Sequence, residues 1–142
     1  MLRKLSLGLV VGLCMVGNAL AHSPEDVAER CANKVEQVVE RATNAAQDET
    51  HECVRRINAL QDEGRDEAAK RVARECITNA TERTHNAVRY VNAVCDECVE
   101  VLLRLDAPQL ARRINHLCDE AVETLRVILH REKNAILDAL ED

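Results

Sequence analysis

Cysteine is the residue type in this chain with the most chemistry in reach. The sequence carries seven, Cys14, Cys31, Cys53, Cys76, Cys95, Cys98 and Cys118, against five histidines, no Trp or Phe and a single Tyr. Cys95-Asp96-Glu97-Cys98 is a C-x-x-C. Covalent haem attachment needs a His directly after the second Cys, and Val99 stands there. A redox nucleophile needs cationic surroundings or a helix N-terminus to lower its thiol pKa, and this pair sits among Asp96, Glu97 and Glu100. Two readings remain. Structural disulfides are the first. The alternative is a thiolate metal site for zinc or copper, with Cys31, Cys95, Cys98 and Cys118 as ligands and His116 close in sequence.

Other catalytic constellations are poorly supplied. The histidines His51, His85, His116 and His130 fall at separate heights and show no H-x-x-x-H spacing, so each reads as a solvent-facing side chain. His22 precedes a Ser-Pro pair that disfavours copper chelation at a free amine. Beyond the first 21 residues the only serine is Ser23, which excludes a serine hydrolase. Paired acids such as Glu25-Asp26, Asp62-Glu63, Asp66-Glu67, Asp119-Glu120 and Glu141-Asp142 fit helix ends and ion pairs along a helix face. Asn79-Ala80-Thr81 matches a glycosylation acceptor inside a stretch expected to be helical.

Residues 1–21 read as a cleavable secretory signal peptide. Arg3 and Lys4 precede an apolar run from Leu5 to Val16, and Ala19-Leu20-Ala21 supplies the small-residue cleavage pattern. Removing 21 of the 142 residues leaves 121. Loss of Arg3 and Lys4 takes the basic residues from 19 to 17 against 25 acidic ones, a net charge of −8. Loss of Cys14 leaves six cysteines, an even number that suits disulfides in an oxidising compartment. The expected location is therefore exported, periplasmic or extracellular. An acidic chain without stacking aromatics is not built for nucleic acid or anionic lipid. Neither a nucleic-acid partner nor a membrane after cleavage is expected.

The scarcity of turn residues then sets the scaffold. After residue 21 the chain holds one glycine, Gly64, and two prolines, Pro24 and Pro108. That excludes turn-rich β folds and glycine-rich phosphate loops. Apolar residues recur at steps of three and four through Ala28, Cys31, Val35, Val38, Ala42, Ala45, Cys53, Ile57 and Leu60. A second stripe runs Ala69, Ala73, Cys76, Ala80, Ala87, Val91, Val94, Cys98, Leu102 and Leu105. A third runs Leu110, Ile114, Leu117, Ala121, Leu125, Ile128, Ala135 and Ile136. Ser23-Pro24 starts the first helix and Gly64 stops it, while Asp106 is taken as the cap of the third. The spacing predicts helices over about 24–62, 66–105 and 107–140. They form one all-α domain over 22–142, an antiparallel up-down-up three-helix bundle of long helices stapled by disulfides. Two polar runs, 47–52 and 81–86, lie near one height, and a kink there is the alternative. Residues 69–76 resemble 111–118, each ending in Cys.

Height in the bundle pairs the cysteines. Cys53 lies before Gly64 about as far as Cys76 lies after it, and Cys95 and Cys118 flank Asp106 in the same way. Cys31 and Cys98 remain, near one level. Cys95 and Cys98 are three apart and reach different neighbours. The pairs are Cys53–Cys76, Cys95–Cys118 and Cys31–Cys98, with an exchange of Cys95 and Cys98 as the competing arrangement. Loop closure gives about 3 kcal/mol for the first and about 4 kcal/mol for the last. The function expected is that of a small exported disulfide-stabilised helical protein with a structural or protein-binding role, without catalysis or cofactor. The alternative is an envelope metal-binding protein.

Overall fold

The computed structural model describes residues 23–142. The expected signal peptide, Cys14 and His22 lie outside the described residues. Three helices follow one another: α1 (Pro24–Asp62), α2 (Asp66–Arg104) and α3 (Pro108–Glu141). No strand occurs among the described residues. At 1.5 Å per residue, the 39 residues of α1 and of α2 span about 58 Å each and the 34 of α3 about 51 Å. Connections this short force neighbouring helices to run antiparallel, and the result is a disulfide-stapled three-helix bundle.

The boundaries have local causes. Ser23 caps α1, its hydroxyl accepting from the Asp26 amide at 3.1 Å, with Pro24 in the first turn. The two turns share one design. Arg65 N–H donates to Leu60 O at 2.8 Å and Gly64 N–H to Gln61 O at 2.9 Å. Ala107 N–H donates to Leu102 O at 2.9 Å and Asp106 N–H to Leu103 O at 3.0 Å. Both are Schellman closures, which need a left-handed residue just past the helix. Gly64 supplies it with φ +74° and Asp106 with φ +58°. Asp106 is thus the terminator of α2 and not the cap of α3. Position 107 is the cap of α3, and no side chain caps there. Asp fills a glycine role because its short polar side chain tolerates the left-handed region.

The helices pack through two apolar clusters. The larger includes Val35, Val38, Val91, Leu102, Ile114 and Leu125, near the α2–α3 turn. The smaller joins Ile57, Ala69, Ala73, Ile136 and Ala139, near the α1–α2 turn. Between them, α1 and α2 continue unbroken through 47–52 and 81–86. Those polar runs therefore interrupt neither helix. They instead meet a charged residue of α3 in a polar layer. At the far end, the Gln61 side chain donates to Leu140 O at 3.1 Å, tying the last turns of α1 and α3.

Candidate functional site

The cysteines form Cys31–Cys98, Cys53–Cys76 and Cys95–Cys118, with Cα–Cα separations of 6.4, 6.5 and 6.4 Å. Cys95 and Cys98 stand one turn apart on α2 and face opposite neighbours, so one bonds α3 and the other α1. Those two bonds join all three helices within the larger apolar cluster. The third bond joins only α1 and α2, at the other end. The four cysteines of the metal reading do gather at one end, as two disulfides, and a disulfide sulfur is not the thiolate that zinc or copper binds. Among the described residues no group of three or more His, Cys, Asp or Glu side chains is arranged to hold a metal ion.

The polar layer is the second feature. Arg83 of α2 reaches both neighbours, donating from Nη1 to Glu49 Oε1 of α1 and from Nη2 to Glu132 Oε1 of α3. Glu132 is 4% exposed, and Thr84 beside the layer is 5% exposed. Arg83 Nε and Thr50 Oγ1 are buried without hydrogen-bond partners. Burial pushes the Glu132 carboxyl above the ordinary glutamate range. The hydrogen bond and charge of Arg83 oppose that rise, the charge of Glu49 adds to it, and the nearby Thr50 hydroxyl acts against it. Removing one partner of such a buried pair leaves an uncompensated charge, which costs more than the intact pair contributes.

Two openings reach the layer. A groove of about 450 Å³ between α1 and α3 is lined mainly by Ala46, Gln47, Thr50, Ile128, Glu132 and Ala135. A smaller cleft of about 260 Å³ opens between α1 and α2, with Glu132 and Ile136 of α3 beneath it. Both Cys53 and Cys76 line this second cleft.

The other sequence candidates stay apart. His51, His85, His116 and His130 are exposed, with His116 paired to Glu120 at 2.9 Å and His130 to Asn134 at 3.2 Å. Glu25 and Asp26 sit in the first turn of α1, and Asp66 and Glu67 in that of α2. Glu52–Arg55, Glu67–Lys70 and Glu100–Arg104 are ion pairs along single helix faces. The Arg55 hydrogen bond holds the Glu52 carboxyl below its usual range. Asn79 lies within α2, where Thr81 donates back to Ile77 O. The Arg83–Glu132 pair is absent from the sequence reading. Its trace is an interruption in two stripes: Glu132 occupies the apolar position between Ile128 and Ile136, and Thr84 that between Ala80 and Ala87.

No family model, curated protein or solved structure matches the chain. Three disulfides suit an oxidising environment. None of the described helices is long and apolar enough to cross a membrane.

Proposed function

We propose that this is a small exported, non-catalytic protein: a disulfide-locked helical scaffold that binds another protein, in the periplasm or outside the cell. One observation carries the reading. The end of the bundle where two disulfides tie all three helices also presents Leu103 and Leu105, 55% and 41% exposed. Large aliphatic side chains on a rigid support lose little entropy on binding, which favours a protein partner at that end. The oxidising environment that the disulfides need fits export, and the reading of residues 1–21 as a signal peptide agrees with it.

The test places a photo-crosslinking residue at Arg104, between the two leucines, in the native host. A discrete protein adduct is expected, and Leu103→Lys with Leu105→Lys, whose charges suit a helix C-terminus, removes it without lowering the melting temperature. No adduct, or the same adduct in the variant, overturns the reading. Fractionation of the same cells separates periplasmic from extracellular. Intact mass distinguishes the metal-binding alternative. Three disulfides put the purified protein six hydrogens below its reduced form with no metal bound, whereas a thiolate carrier retains free thiols and stoichiometric zinc or copper.

A further inference from the structure

The three disulfides are not equally shielded. Cys31, Cys95, Cys98 and Cys118 are 4–7% exposed, all inside the larger apolar cluster. Cys53 is 2% exposed, but Cys76 is only half-buried. Their bond borders the cleft between α1 and α2, which is lined also by Arg56, Asn79, Arg83 and Glu132. Exchange requires a thiolate to reach one sulfur in line with the bond, so with one reagent attacking all three bonds, access is a main source of difference in rate. Arg83 is paired with Glu49 and Glu132, and with Arg56 the cleft wall carries two cations against two carboxylates, so charge does not bar an incoming thiolate.

We propose that Cys53–Cys76 is a thiol–disulfide exchange site for a dithiol, and that its opening releases one end of the bundle while the other stays locked. A thiolate of the dithiol attacks Cys76 Sγ, forming a mixed disulfide, and the Cys53–Cys76 bond breaks. Cys53 leaves as a thiolate and takes a proton from water. The second thiol of the reagent then loses its proton and displaces Cys76, closing the reagent into its own disulfide. The protein gains two electrons, which the dithiol supplies. Cys31–Cys98 and Cys95–Cys118 still join all three helices. The smaller cluster of Ile57, Ala69, Ala73, Ile136 and Ala139 then has no covalent tie, and its apolar surface becomes available to a partner.

Timed reduction of the native protein with dithiothreitol in one arm and glutathione in the other, followed by alkylation and peptide mapping, tests the site. Cys53 and Cys76 should be labelled at least about tenfold faster than the other four cysteines, with glutathione caught on Cys76. Faster opening of either other bond, a single rate for all three, or glutathione caught on Cys53 overturns the assignment. The variant Cys53→Ala/Cys76→Ala tests the release. Backbone hydrogen exchange should rise over residues 54–77 and 133–141 and stay unchanged over 91–118. An equal rise throughout the chain, or none, overturns it.

Discussion

Glu132 is where charge and burial conflict. It occupies an apolar position of α3, and only Arg83, 49 residues away in sequence, makes that tolerable. Burial raises its pKa above that of an ordinary glutamate. In the unfolded chain the carboxyl returns to the ordinary range, so the folded state holds the proton more tightly. Its contribution favours the folded state fully below that ordinary range and is lost as pH rises through the higher folded value. Glu132→Gln keeps an oxygen to accept from Arg83 and removes the ionisation. The stability of the wild type relative to this variant should therefore fall as pH rises from the ordinary glutamate range through the raised folded value. Urea titrations of both proteins across that range measure it, and a difference that is flat or grows with pH defeats the account. Glu132 was not legible in the sequence. Stripe counting treats a Glu among Ile128, Ala135 and Ile136 as a gap in the pattern, because the partner that satisfies it sits on another helix. Ala46 was missed for a different reason: among Ala42, Ala45 and Ala46, small side chains mark the buried face too weakly to choose between neighbours.

At the scale of elements, far more was legible, and for a simple reason. A chain with one glycine and two prolines after residue 21 has few places where a long helix can stop. The ends of α2 and α3 differ from the sequence reading by a single residue. Asp106 is the instructive departure. Its residue type suggested an N-cap, yet its backbone performs the same task as Gly64. The two turns therefore offer a matched comparison. A Cβ added at Gly64 would meet nothing within 4 Å, so any cost of Gly64→Ala is the cost of the φ +74° backbone itself. That substitution should destabilise the protein by about 1 kcal/mol. Asp106→Gly, at φ +58°, relieves part of the same strain and should be neutral or stabilising by up to about 1 kcal/mol. Thermal unfolding of the two variants checks the pair. If Gly64→Ala is silent while Asp106→Gly destabilises, left-handed closure is not what ends these helices.

For the whole molecule, covalent ties are unevenly shared. Two bonds hold the end near the α2–α3 turn and one holds the other end, where it reaches only α1 and α2. The single disulfide of α3 is at Cys118, so residues 119–141 have no covalent tie to the other helices and are held by packing, the Arg83–Glu132 ion pair and the Gln61–Leu140 hydrogen bond. That stretch contains Glu132, whose ionised form is costly to bury, and beyond it Ile136 is the one large side chain fully buried, with small Ala139 and exposed Leu137 adding little. Local opening follows the segment with the fewest ties and the least buried apolar surface. The far half of α3 is thus the part of the described bundle expected to open first. In the oxidised protein, amides of residues 129–139 should exchange at least about tenfold faster than those of 111–121, after correction for intrinsic rates. The same conflict at Glu132 makes this opening depend on pH. Protonation removes the buried charge and favours the closed helix, so corrected exchange over 129–139 should slow as pH falls through the raised Glu132 value. Glu132→Gln should show the slower exchange on both sides of it. If that variant retains the pH response of the wild type, another group controls the opening. If 129–139 is as protected as 111–121, packing holds α3 as firmly as the disulfide does, and the bundle opens only as a whole.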